Sequence, residues 1–147
     1  MMLTENSIPK VLIDTNVIID AISERDCDYA PSKNIIRLIV SKEIKGYIST
    51  NQITDIYYVL KKYIPNAEAR RRVIGSILNT FEVVPALPSF FKHSLNQSKL
   101  DDYEDSIVEE VASVNALSFI ITNNTKDYKN SKVIAITPKD YLKLFNI

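Results

Sequence analysis

Four points along this chain place acidic or amide side chains where chemistry could use them, and two of these points follow short apolar runs. Asp14 follows the apolar residues 11–13. Asn124 and Asp127 follow a second apolar run, which ends at Thr122. Continuous apolar runs of this length are typical of strands buried on both faces, and the carboxyl ends of parallel strands share one edge of a sheet. We therefore expect these polar groups to lie at a common edge.

The other two acidic points fall near the starts of predicted helices. Residues 49–52 match a capping box, and Asp55 follows in the second turn. Asp105 begins another predicted helix at the border of its apolar stripe, whereas Asp101 and Asp102 are expected to be solvated acids. Helix starts and strand ends share one edge in a parallel α/β protein, so all four points should converge there.

Converging carboxylates of this kind predict a divalent-cation site. Neighbouring carboxylates repel one another, and their pKa values rise unless a cation balances the charge. The chain has a single histidine, His93, and a single cysteine, Cys27, which leaves little for a zinc site; both are expected to be incidental. Oxygen ligands suit Mg²⁺ or Mn²⁺, and such ions assist the in-line attack of water on a phosphodiester.

Strand and helix patterns alternate along the chain, which predicts the scaffold for these acids. Strands are expected at residues 10–14, 47–49, 81–84, 118–122 and 133–136. Helices are expected at residues 17–23, 31–45, 49–63, 66–79, 88–97, 102–116 and from Pro138 onward, with Gly46 as the C-terminal cap of the second. The alternation predicts a three-layer α/β/α sandwich with a mainly parallel central sheet, in one domain over residues 1–147.

Composition excludes several classes of function. The chain has 147 residues, of which 46% are apolar, and its 18 basic and 18 acidic residues give a net charge of zero. A nucleic-acid partner would therefore need a local basic patch, and the Arg70-Arg71-Arg72 run is expected to be a solvated face. The two glycines, Gly46 and Gly75, argue against Gly-rich phosphate loops. The sequence shows no membrane span and no secretory signal, and we expect a cytoplasmic protein.

Four motifs resemble, in order, those of the PIN-domain ribonucleases, many of which are the toxins of toxin–antitoxin pairs. They are Asp14-Thr15-Asn16, Ser49 with an acid six residues later, Tyr103-Glu104-Asp105-Ser106 and the segment from Ile121 to Tyr128. The resemblance runs from about Val11 to Leu142, which is nearly the whole chain.

The resemblance implies a PIN-like fold and a Mg²⁺- or Mn²⁺-dependent endoribonuclease site. By position it implies catalytic or metal-coordinating roles for Asp14, Asp55, Asp105 and either Asn124 or Asp127, with Asn16 and Thr122 in support. The second acid of the family is usually glutamate, and Asp55 is one methylene shorter. The fourth position falls between Asn124, which is neutral, and Asp127.

The resemblance also implies partners for the chain. These are an RNA substrate, a cognate antitoxin protein and a second copy in a homodimer. Lys126 and Lys129 closely follow the fourth motif, which places them well to touch RNA phosphates.

Two other classes of function stay open at the level of sequence. One is a PIN-like module that binds RNA or protein without cutting, which the departures at the second and fourth positions motivate. The other is a phosphatase or phospho-acceptor domain with Asp14 as nucleophile, although Asn16 stands where haloacid-dehalogenase-like enzymes place a second aspartate. Asp14 could also do no more than cap the helix that follows it.

Overall fold

The computed structural model describes residues 8–25 and 29–145, where five strands alternate with seven α-helices. Cys27 lies outside the described residues. The strands are β1 (Lys10–Ile13), β2 (Lys45–Ser49), β3 (Glu82–Val84), β4 (Ile120–Ile121) and β5 (Ala135–Ile136). The helices are α1 (Thr15–Ser23), α2 (Ala30–Val40), α3 (Thr50–Leu60), α4 (Ala67–Thr80), α5 (Pro88–Gln97), α6 (Tyr103–Val114) and α7 (Pro138–Lys143), with a 3₁₀ turn at Thr125–Tyr128.

The five strands form one parallel sheet in the order β3-β2-β1-β4-β5. Strand β1 is central, and the chain builds the sheet outward from it in one direction through β3 before returning to its other side with β4. The point where strand order reverses therefore lies between β1 and β4. Open parallel sheets bind ligands at the carboxyl ends of the strands that flank such a reversal.

Helices cover both faces of the sheet, which confirms the three-layer α/β/α prediction. Val11 and Ile13 of β1 are fully buried in a core cluster with residues of α1, α2, α3, α4 and α7. Leu12 points to the opposite face and is fully buried against α5 and α6. Each side chain buried in this way contributes about 1.5–3 kcal/mol, so the two clusters fix β1 from both sides.

The prediction that Gly46 caps the second helix is wrong. Helix α2 ends at Val40, and Gly46 lies in β2, paired with Val11 of β1. A Cβ atom at position 46 would lie 2.6 Å from Ile39 Cδ1. Glycine stands there because helix α2 crosses close to the strand, and such close approaches need glycine as often as helix caps do.

The interpretation of the arginine run as a solvated face is wrong for Arg70. Its side chain is buried, and its Nη1 donates hydrogen bonds of 2.7 Å to the carbonyl oxygens of Ile64 and Pro65. Its guanidinium also stacks on the ring of Tyr57, 5.1 Å from the centroid. Arg70 therefore ties the segment after α3 to α4 instead of facing solvent.

Several element bounds also differ from the prediction. The strands predicted at 118–122 and 133–136 are only two residues long, and the sequence does not predict the 3₁₀ turn between them. Among the described residues, no helix combines the length and apolar character needed to cross a membrane.

Candidate active site

Asp14 lies where the central strand ends and α1 begins, and it is 8% exposed. Its Oδ1 accepts a 2.8 Å hydrogen bond from the backbone N–H of Thr15, so Asp14 does cap α1. Its Oδ2 accepts from Thr122 Oγ1 at 2.8 Å and from Asn16 Nδ2 and the Tyr128 hydroxyl at 3.3 Å each. Capping the helix requires only the hydrogen bond from Thr15. The three other hydrogen bonds hold the carboxylate in place at the edge of the sheet.

Asn16 and Thr122 join the β1–α1 corner to the loop after β4. Thr122 is fully buried, and its hydroxyl accepts from Asn16 Nδ2 at 3.2 Å and from the Asn124 backbone N–H at 3.0 Å. The backbone N–H of Asn123 donates to Asn16 Oδ1 at 3.0 Å. The structure thus places both predicted supporting residues in direct contact with Asp14 or its neighbours.

Asp105 faces Asp14 from the start of α6. The side chain of Asp102 accepts a 3.0 Å hydrogen bond from the Asp105 backbone N–H, which makes Asp102 the N-cap and leaves the Asp105 carboxylate free for the cleft. The Tyr128 hydroxyl lies 3.3 Å from Asp105 Oδ1, as it does from Asp14 Oδ2. Two carboxylates from distant parts of the chain therefore share one phenol.

Burial, followed by the mutual repulsion of the carboxylates, raises the pKa values in this cluster. Burial is the main cause that raises the pKa of Asp14, and its hydrogen bonds oppose the increase. Burial, and then the charges of Asp14, Asp102 and Asp127, raise the pKa of Asp105 to about 7. Burial, and then the charges of Asp14 and Asp105, raise the pKa of Tyr128, so its hydroxyl stays protonated. Burial, reinforced by the neighbouring carboxylates, therefore disfavours negative charge in this cluster.

Asp55 lines the same cleft, which has a volume of about 290 Å³. Its side chain is exposed in the second turn of α3, and Asp105 lines the same cleft. Gln52, Tyr58 and Glu104 also line the cleft, although the sequence predicts no site role for them. Glu104 stands next to Asp105 in the motif, and this adjacency was the available signal.

Gln52 connects the start of α3 to the backbone that carries Asp14. It is buried, and its Nε2 donates a 2.9 Å hydrogen bond to the carbonyl oxygen of Ile13. Its Oε1 accepts a 2.8 Å hydrogen bond from the Ser49 backbone N–H, which confirms the predicted capping box. The sequence motif indicated the capping bond but gave no signal for the bond across to β1.

The fourth motif distributes its residues over two places. Asp127 is exposed on the 3₁₀ turn, close enough for its charge to raise the pKa values of Asp14 and Asp105. Asn124 instead lines a separate polar pocket, beside Asn16 and Asn123. Lys126 and Lys129 are exposed on or next to the same turn.

The cleft offers donors that fit a hard divalent cation. No lysine or arginine of the described ranges forms an ion pair with Asp14, Asp55, Asp105 or Asp127. Uncompensated carboxylates are the ligands that Mg²⁺ and Mn²⁺ prefer. Across residues 8–25 and 29–145, however, no three acidic, histidine or cysteine side chains stand within ligand distance of one another. The donor chemistry therefore fits such an ion, and Asp14 with Asp105 is the pair that the structure brings together.

A larger groove of about 450 Å³ lies away from the acids, between α1, α2 and α4. Its walls are mainly apolar, with Lys33 and Arg37 among the lining residues and no carboxylate. The acidic cleft is thus the smaller of these two cavities, but it is the one lined by carboxylates that could bind a cation.

Fold and cleft together define a parallel α/β protein with an acidic site at the strand-order reversal. Residues 10–126 match the model of the PIN domain family, and the chain belongs to that family. It is 24% identical over 141 residues to "Ribonuclease VapC1" of Aquifex aeolicus, covering 93% of this chain and 96% of that protein.

Solved structures agree with the family assignment. A toxin–antitoxin complex from Klebsiella pneumoniae contains a chain that is 27% identical, with a TM-score of 0.64 and coverage of 87% of this chain and 97% of that one. FitAcB from Neisseria gonorrhoeae, at 16% identity, gives a TM-score of 0.67 over 88% of this chain and 98% of that one, which supports the fold.

Proposed function

We propose that this chain is a metal-dependent endoribonuclease and the toxin of a toxin–antitoxin pair. The observation that carries the proposal is the meeting of Asp14 and Asp105 in one cleft, where no lysine or arginine of the described residues pairs with either carboxylate. The full-length similarity to a protein named a ribonuclease supports the activity, and the similarity to a chain of a toxin–antitoxin complex supports the biological role.

Asp14 and Asp105 would hold the cation, with Asp55 and either Asp127 or Asn124 completing the set. A bound Mg²⁺ or Mn²⁺ would lower the pKa of a water molecule and stabilise negative charge on the phosphate oxygens. The chain's own part is orientation: Thr122 and Asn16 fix the Asp14 carboxylate, and Gln52 fixes the strand end beneath it.

Hydrolysis adds a water oxygen to phosphorus while the bond from phosphorus to one ribose oxygen breaks, and a proton passes to that leaving oxygen. The acids lie at the cleft, and Lys126 and Lys129 on the neighbouring turn would contact flanking phosphates. Tyr58 lines the cleft and is 71% exposed, which makes its ring available to stack on an unpaired base. These features favour single-stranded or looped RNA as substrate.

An antitoxin protein and a second copy of the chain are the proposed partners. The similar chain from Klebsiella pneumoniae comes from a toxin–antitoxin complex, which supports the first. The homodimer rests on the family resemblance alone.

Cleavage of a defined RNA by the purified chain tests the proposal. The wild-type protein should cut in Mn²⁺ or Mg²⁺ and stop when EDTA is added in excess. Asp14→Asn should abolish cleavage, and a mock preparation from cells carrying the empty vector should show none.

A protein that binds RNA without cutting would give a different pattern. It would retain RNA in a mobility-shift assay and leave the RNA intact at every metal concentration. Calorimetry would then detect no Mn²⁺ site of millimolar affinity or tighter. That pattern would contradict the proposal of a nuclease and favour a module that binds RNA without cutting it.

A further inference from the structure

The hydroxyl of Tyr128 lies between the two inner carboxylates of the cleft. Tyr128 ends the 3₁₀ turn after β4, is 3% exposed, and packs its ring in the core cluster formed with α5 and α6. Its oxygen is 3.3 Å from Asp14 Oδ2 and 3.3 Å from Asp105 Oδ1. The ring is therefore anchored by packing, while the hydroxyl reaches the site.

The two carboxylates depend on this hydroxyl to different extents. Asp14 accepts three further hydrogen bonds, from the β1–α1 corner and from the start of the loop after β4. For the Asp105 carboxylate, Tyr128 is the one hydrogen-bond partner found among the described residues. Loss of the hydroxyl would leave Asp14 held in place and allow Asp105 to sample other rotamers.

We propose that Tyr128 is a positioning residue whose hydroxyl orients the Asp105 carboxylate toward Asp14 and thereby sets the affinity of the pair for a divalent cation. A phenol carries no charge, and its single proton can be donated to either carboxylate, one at a time; a proton donated to Asp105 orients that side chain, since Asp14 has other donors. A lysine or arginine in the same place would neutralise the carboxylates that the cation needs. The inference rests on the proposed function and adds a determinant of metal affinity to it.

Tyr128→Phe tests the hydroxyl alone, because the ring and its packing remain. Tyr141→Phe is the matched control: Tyr141 is 2% exposed and packs against Phe119 and Phe145 on the opposite face of the sheet. Calorimetry with Mn²⁺ alone should give a dissociation constant about tenfold weaker for Tyr128→Phe, the range known for partners that orient metal ligands. Tyr141→Phe should bind Mn²⁺ as the wild type does.

Cleavage kinetics provide a readout that a purely structural role would not change. At Mn²⁺ concentrations below saturation, kcat of Tyr128→Phe should fall about tenfold and recover as Mn²⁺ is raised, with the KM for RNA unchanged. A changed KM for RNA with unaltered Mn²⁺ dependence would overturn the inference.

Calorimetry and the cleavage assay together distinguish failure of the proposed function from failure of this inference alone. Wild-type protein that neither binds Mn²⁺ nor cleaves RNA would overturn the proposed function and this inference with it. Wild-type protein that does both, beside a Tyr128→Phe variant of equal Mn²⁺ affinity, would overturn the inference alone.

Discussion

Replacing Asp105 by asparagine should make the metal-free protein more stable while removing its activity. The carboxylate of Asp105 is partly buried beside Asp14, and burial with the neighbouring charges raises its pKa from 3.8 to about 7. Above pH 7 the folded protein therefore carries a charge that its surroundings disfavour. Asparagine has nearly the same shape and removes that charge.

The magnitude follows from the pKa of Asp105. A shift of about 3 units corresponds to an upper limit of roughly 4 kcal/mol, and screening by solvent at this partly exposed group reduces it to roughly 1–2 kcal/mol. For a chain of this length the gain should raise the unfolding midpoint at pH 8 by about 3–6 °C.

The pH dependence has a definite sign. Between about pH 4 and pH 7 the folded protein binds more protons at Asp105 than the unfolded chain does, so the wild type loses stability as pH rises through that window. The Asp105→Asn variant does not lose stability in this way, because it has no carboxyl group to ionise at this position. The two proteins should therefore melt together near pH 4 and separate by pH 8.

Thermal unfolding in EDTA, measured from pH 4 to pH 8, checks this reasoning. Asp101→Asn is the control, since Asp101 is an exposed acid just before the same helix, and it should follow the wild type. Adding Mn²⁺ at ten times its dissociation constant should stabilise the wild type by about 1.4 kcal/mol and leave Asp105→Asn unchanged. An Asp105→Asn variant no more stable than wild type at pH 8, or equally stabilised at pH 4, would refute the electrostatic argument.

Further substitutions at Asp55, at Gln52 and at the two glycines test other parts of the structure. Asp55→Asn should slow cleavage at least tenfold with little change in stability, because Asp55 is exposed and lines the cleft, whereas Asp101→Asn should cleave normally. Gln52→Ala should cost about 2–3 kcal/mol in urea unfolding, because two buried backbone groups lose their partner. Gly46→Ala should destabilise by about 1–3 kcal/mol through overpacking, whereas Gly75→Ala, with open space around the new methyl group, should stabilise by about 0.5–1 kcal/mol.

Each of these expectations has an outcome that would contradict it. Full activity of Asp55→Asn would exclude that carboxylate from the site. Unchanged urea midpoints for Gln52→Ala would mean that water replaces the lost bonds, and equal effects at the two glycines would contradict the packing around β2.

The scaffold could be predicted from the sequence because its signals are local. The apolar run before Asp14 and the alternation of strands and helices indicate a parallel α/β sandwich, and the observed sheet confirms it. Gly46 was misassigned because the need for glycine there comes from a tertiary contact. Ile39 of α2 lies where a Cβ atom of residue 46 would stand. Arg70 was misassigned for the same reason, since its partners are carbonyl groups of the segment that follows α3.

The sequence predicted that several acids converge at one edge of the sheet, but not how their side chains are arranged there. Spacing placed Asp14, Asp55 and Asp105 at one edge, and the structure brings all three to one cleft. The position of the Tyr128 hydroxyl between two carboxylates could not be foreseen, because its ring and its hydroxyl contact different neighbours. The separation of Asp127, exposed on the 3₁₀ turn, from Asn124, which lines another polar pocket, likewise depends on a turn that has no strong sequence signal.

Anomalous diffraction from crystals of this protein soaked in Mn²⁺ tests the central claim most directly. We expect one manganese peak in the cleft, bound by carboxylate oxygens of both Asp14 and Asp105, and no such peak in crystals of Asp105→Asn. A cleft that stays empty at millimolar Mn²⁺, or a peak that involves neither carboxylate, would contradict the assignment of these acids as the metal-dependent site.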